Sequence, residues 1–176
     1  AAYILIPWYM YLNYGDVGIL KEHYDSHKLY IQFLSTDGEG CIARPPSHGD
    51  HLSVVNGFTK GSPVSMSTAF YYYDALTMSR IANVLGHSGD EQQFTALAAD
   101  IRSAFNEQYF DDATNTYDDA TQTALSIPLL LGMVPDGKED AVLDSLVNDV
   151  VELNNTHLTT GLIGVKYLVD ALTAKG

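Results

Sequence analysis

Cysteine is nearly absent from this sequence. Cys41 stands alone, so no intrachain disulfide can form. Its isolation favours a reducing compartment, with the cytoplasm the expected location. No motif around Cys41 makes it a nucleophile. Basic residues are scarce too, 9 Lys plus Arg against 22 Asp plus Glu. The resulting net charge of -13 argues against nucleic acid and anionic membrane as partners and favours neutral or cationic ligands. No apolar run is long enough for a bilayer, and no charged segment precedes an apolar one near residue 1. The chain starts abruptly inside an apolar helix without a cap, as a fragment would.

Apolar residues are plentiful at 46%, enough to build a packed core rather than a disordered chain. The length of 176 residues suits a single domain, 1–176. Twelve Tyr and six Phe accompany one Trp. Tyrosine serves both polar ligand clefts and cores in which the hydroxyl finds a partner.

The stretch 65–85 (SMSTAFYYYDALTMSRIANVL) organises the rest. Phe70, Tyr73, Thr77, Ile81 and Val84 follow helical spacing, and so do Ala75, Met78, Ala82 and Leu85. A third row, Ala69, Tyr72, Leu76 and Ser79, nearly closes the circle. A helix apolar on almost every side is buried on most of them. Asp74 interrupts it, and a buried carboxylate needs a partner or a raised pKa.

The spacing predicts six further helices. Residues 2–14 are apolar on every face, with Pro7 near the start and Gly15 as the stop. Asp16 is placed to cap residues 17–34, whose stripe is Leu20, Tyr24, His27, Ile31 and Leu34. Residues 35–64 form a long Gly- and Pro-rich loop, a length that points to function or disorder. Residues 91–109 are one-sided, with Ser88 or Asp90 as the expected cap. Residues 111–119 are turn-rich, with a short strand around Tyr117. Residues 122–131 are apolar, and Pro128 implies a kink or an early end. Residues 138–153 are one-sided, and 162–172 are apolar all round.

All-round and one-sided helices thus alternate. Hairpins with one buried and one water-facing helix build α/α toroids and α-solenoids. No fixed-period repeat is present, which argues against a solenoid. Long loops at one rim and short turns at the other favour a toroid with a functional rim. The expected fold is all-α, an incomplete toroid of about seven helices where six hairpins would need twelve.

Particular stretches resemble a known family. They are 7–20 (PWYMYLNYGDVGIL), 49–52 (GDHL), 67–85, 105–110 (FNEQYF), 121–124 (TQTA) and 157–164 (HLTTGLIG). In this order they resemble the middle of the (α/α)6 catalytic domain of bacterial α-L-rhamnosidases, glycoside hydrolase family 78. The resemblance implies hydrolysis of terminal α-L-rhamnose with inversion. That reaction takes a carboxylic acid and a carboxylate roughly 6.5–9.5 Å apart. In the family the acid is a Glu in a segment followed by Gly-Trp-Thr-Gly-Asp. The base is a Glu in an Ala-Thr-Thr-x-Trp-Glu segment. Neither motif occurs here, so both glutamates are expected outside the chain and no catalytic residue within it. The family often has Trp after Gly-Asp in the long loop, where it packs on the sugar; His51 stands there instead.

The resemblance makes Asp50, His51, Gln122, His157 and Thr159 candidates for sugar binding. Each has a plainer alternative. Asp50 and His51 would be a solvated loop; Gln122, Thr159 and Thr160 would serve helix caps. His48, Asp50 and His51 are metal-ligand types, but no second cluster stands at ligand spacing, so neither metal nor other cofactor is expected. His23 and His27, four apart on an outer helix, are assigned to packing and surface. Two other functions compete: a non-catalytic carbohydrate-binding remnant, and an α-toroid or solenoid interaction protein. The expected partners are a rhamnose-containing glycoside and, over the apolar helices 2–14 and 162–172, the remainder of a parent enzyme or a second chain.

Overall fold

The computed structural model describes residues 1–44, 49–54, 59–60 and 63–175. Seven α-helices and two small hairpins of strand account for most of them. The helices are α1 (Ala2–Tyr14), α2 (Val17–Asp37), α3 (Pro63–Leu85), α4 (Ser88–Tyr109), α5 (Gln122–Leu131), α6 (Glu139–Asn148) and α7 (Gly164–Lys175). The strands are β1 (Asp50–His51), β2 (Thr59–Lys60), β3 (Phe110–Asp111) and β4 (Thr116–Tyr117). The all-α expectation is met, and short turns join α1 to α2 and α3 to α4. The contacts gather into two compact units, Ala1–Arg44 with Phe70–Ala104, and Pro45–Ala69 with Phe105–Gly176.

The first unit is built on the α1–α2 hairpin. Gly15 closes α1 at φ 70°, a left-handed conformation that glycine adopts without a Cβ penalty. Asp16 caps α2 by accepting from the Gly18 N–H at 2.8 Å. Ile4, Leu5, Trp8, Leu20, Tyr24 and Ile31 of this hairpin are buried. His27 is buried there too, edge-on to Tyr3 with ring centroids 4.9 Å apart, so its role is packing. The α3 residues of this unit are buried on nearly every side, with only Arg80 and Asn83 exposed. Ser79 and Thr95 share a hydroxyl hydrogen bond of 2.7 Å that ties α3 to α4.

Two expectations need correction in this unit. Helix α4 starts at Ser88, before the predicted 91. Asp90 therefore lies in its first turn and accepts from the Tyr24 hydroxyl at 2.8 Å and Lys28 Nζ at 2.7 Å. A negative charge in that turn suits the helix dipole, which explains how the helix forms without Asp90 as cap. Helix α1 is also less buried than its composition predicts. It buries Ile4, Leu5, Pro7 and Trp8, while Tyr3, Ile6, Met10, Leu12 and Tyr14 stand exposed, Tyr14 to 81%.

In the second unit α5 is the central helix, packed against both α6 and α7. Its residues Leu125, Ile127 and Leu129 meet a core that includes Met133, Leu146 and Leu168. The helix continues past Pro128 to Leu131 and ends on Gly132 at φ 70°. The strand expected around Tyr117 is β4, paired antiparallel with β3. Tyr117 is buried and donates to Asn106 Oδ1 at 2.6 Å, while Asn106 Nδ2 donates to the Met133 carbonyl at 2.8 Å.

The predicted helix 138–153 is present over Glu139–Leu153, but its last turn changes type: the α-helix ends at Asn148, and Asp149–Leu153 is π-helical. Asn154 explains the switch: its backbone N–H and its side chain both donate to the Asp149 carbonyl, at 3.0 and 2.9 Å. Helix α7 likewise begins at Gly164, two residues later than predicted, so neither Thr159 nor Thr160 is its cap. What satisfies its first N–H groups belongs to the site below. On the exposed side of α7 stand Val165 and Val169, with Leu162 just before it. Among the described residues no helix is long and apolar enough to cross a membrane.

Candidate functional site

Three of the six stretches named for the resemblance, 49–52, 121–124 and 157–164, meet around one side chain. Asp50 is in β1 and only 1% exposed. A carboxylate has about four acceptor positions, and a buried one is costly unless they are used. All four are used here. Oδ2 accepts from the Thr123 hydroxyl at 2.5 Å and the Gly161 N–H at 2.6 Å. Oδ1 accepts from the N–H groups of Ile163 at 3.1 Å and Gly164 at 2.9 Å. The last two belong to the start of α7, so Asp50 caps that helix from a distant loop and sets negative charge at its N-terminus. The His51 carbonyl adds a further link by accepting from the Leu162 N–H at 2.8 Å.

Two glycines make this approach possible. A Cβ at Gly161 would overlap the carbonyl oxygens of Asp50 and His51. One at Gly164 would overlap Thr123 Oγ1 and Asp50 Oδ2. Thr123 comes from the first turn of α5, which is capped by Thr121 through the Ala124 N–H at 3.3 Å.

Gln122 makes a second, parallel link from the same turn of α5. Its side chain is fully buried. Nε2 donates to the His157 carbonyl at 3.1 Å, and Oε1 accepts from the Thr159 N–H at 2.9 Å. The 157–159 backbone is thus held as a strand neighbour would hold it. Gln122 does not cap its own helix, which is Thr121's role.

The side chains these links present are His51, His157 and Thr159. The first two are exposed and the third is half-buried. His157 Nδ1 lies 2.7 Å from the Asn155 carbonyl and 3.1 Å from that of Asn154. Both neighbours are acceptors, so Nδ1 carries the hydrogen and, in the neutral ring, Nε2 is left as an acceptor. The backbone beside both histidines is strained. Leu52 adopts φ 63°, and Asn155 and Thr156 adopt φ 48° and 62°. A branched or bulky residue in that region needs outside support, and such strain gathers at functional sites. Among the described residues no group of three His, Cys, Asp or Glu is placed to hold a metal ion; His48 lies outside them.

All 176 residues match the model of the bacterial alpha-L-rhamnosidase 6 hairpin glycosidase domain. The chain belongs to this family. An alpha-L-rhamnosidase of Formosa agariphila is 30% identical over 176 residues, covering 98% of this chain and 19% of that protein. The structure of the Dictyoglumus thermophilum alpha-L-rhamnosidase superposes with a TM-score of 0.94 at 35% identity, over 99% of this chain and 20% of the other. That of the Streptomyces avermitilis alpha-L-rhamnosidase in complex with L-rhamnose gives 0.90 at 29% identity, over 99% and 16%. The chain therefore spans about a sixth to a fifth of the length of these relatives. Its hairpins are those of a six-hairpin glycosidase domain.

Sequence reasoning missed four members of this arrangement: Thr123, Gly161, Ile163 and Gly164. All four lay in stretches already singled out, TQTA and HLTTGLIG. The signal was the two glycines in a helix-entry segment, which mark close backbone approach. What they approach could not be read from the sequence, because Asp50 is more than a hundred residues away.

Proposed function

We propose that this chain is a segment of a glycoside hydrolase that releases terminal α-L-rhamnose with inversion. The observation that carries the reading is the match of the whole chain to the rhamnosidase hairpin domain, joined to close superposition on an L-rhamnose complex. The acid and base glutamates are assigned to sequence outside these 176 residues, since neither of the family's two motifs is present. Within the chain, His51, His157 and Thr159 are assigned to sugar contact. His157 Nε2 suits a sugar hydroxyl as donor, and Thr159 offers a hydroxyl of either role. Gln122 and Asp50 stand behind them with their polar atoms turned to protein.

The exposed apolar faces of α1 and α7 fit this reading. Fully burying a Leu, Ile or Phe side chain is worth about 1.5–3 kcal/mol. The remainder of the parent enzyme is the proposed cover for both.

Hydrolysis of an aryl α-L-rhamnoside by the natural protein, with the product anomer followed by NMR, tests the proposal. The expected first product is the anomer of opposite configuration. The isolated chain should show no turnover, because each positioned acid or base contributes typically about 10²–10⁴ in rate. Ordinary turnover by the isolated chain, abolished by a substitution within it, would overturn the assignment of the glutamates.

A further inference from the structure

We infer that Asp50 is a positioning residue, fixing two separate loops in one register so that their exposed side chains form a single sugar-contacting surface. The inference rests on the proposed reading and deepens it. Asp50 cannot itself bind sugar as it stands, because its four acceptor positions are filled by Thr123, Gly161, Ile163 and Gly164. Those donors come from a helix start and from the loop that leads into α7. Its neighbour His51 is exposed on one side, and His157 and Thr159 precede the Asp50-bound glycine on the other. One buried carboxylate therefore sets the distance between a side chain at 51 and side chains at 157 and 159. The strained backbone at Leu52 and Thr156 is the second sign that these loops are held rather than relaxed. Gly161 and Gly164 complete the device, since neither position admits a side chain against Asp50.

A residue of this kind acts on binding more than on chemistry, and kinetics separate the two. The test uses the natural protein that carries this chain, with Asp50→Asn and Thr123→Val. The Asn side chain keeps the shape but turns an NH₂ group toward N–H and O–H donors. Asp50→Asn is expected to raise KM for an aryl α-L-rhamnoside about tenfold or more while kcat stays within about threefold. Amide exchange across 159–164 should quicken in parallel. Thr123→Val removes one donor and leaves three, so it should move KM the same way by less; it carries the test if Asp50→Asn does not fold. An unchanged KM in a folded variant, whether or not the amides loosen, overturns the inference. So does a loss confined to kcat, which would assign Asp50 to the transition state. Failure of the unmodified protein to hydrolyse rhamnosides or bind L-rhamnose is a different result, and overturns the functional reading before any variant is made.

Discussion

Asp50 and Asp74 are each 1% exposed, and they solve the same problem in opposite ways. Asp50 accepts four hydrogen bonds, three of them from backbone N–H groups. Asp74, in the middle of α3, has no such supply: its Oδ1 finds no hydrogen-bond partner among the described residues. Burial raises the Asp74 carboxyl to about 6. Equal burial thus says little about a carboxylate's role. The supply of donors decides whether it organises its surroundings or burdens them.

The comparison breaks most sharply at Asp50. Replacing it with alanine strands buried N–H groups at Gly161 and Gly164 and leaves α7 uncapped. A loss of about 3–5 kcal/mol is expected, in the range for disrupting a buried charged network. Denaturant unfolding of Asp50→Ala measures it.

Asp74 should behave in the reverse sense. Its folded pKa lies above the ordinary value, so it contributes stability at low pH that is lost as pH rises from about 4 through about 6. The rise from 3.8 to about 6 is roughly two units at about 1.4 kcal/mol each, so about 3 kcal/mol separates the two ends. Asp74→Asn should flatten this slope and stabilise the protein at pH 8. Stability of the unmodified protein that climbs over the same interval, after correction by the variant, would contradict the sign.

Gly164→Ala places a methyl group against Thr123 and Asp50 and should cost about 1–3 kcal/mol, as overpacking does. Gly89→Ala makes the control, because nothing lies within 4 Å of a Cβ there. The smallest effect is expected at Asp16, which caps α2 in the usual local manner. Asp16→Ala should cost about 1 kcal/mol in thermal or denaturant melts. A local cap that mattered as much as Asp50 would erase the distinction between remote and local capping.

What was legible in the sequence follows the same division. Helix α1 and its Gly15–Asp16 turn were readable because the stop and the cap are neighbours of what they end and begin. The buried run of α3 was readable because its periodicity leaves only Arg80 and Asn83 for water. Helix α7 was placed too early because its capping group is Asp50, whose distance along the chain no local pattern encodes. The π-helical turn was missed for a different reason: Val150 and Leu153 keep an apolar stripe, and only the Asn154 contacts to Asp149 break the ladder. Gln122 and Asp50 were candidates, yet the sequence could not tell a side chain facing outward from one facing the backbone behind it.

The central claim is that the surface held by Asp50 is where sugar is contacted. Hydrogen–deuterium exchange of the natural protein, with and without L-rhamnose, tests it most directly. Slower exchange in peptides covering 49–52 and 157–164, with α1 and α2 unchanged, is the predicted result. Bound L-rhamnose that leaves both loops unprotected would contradict it.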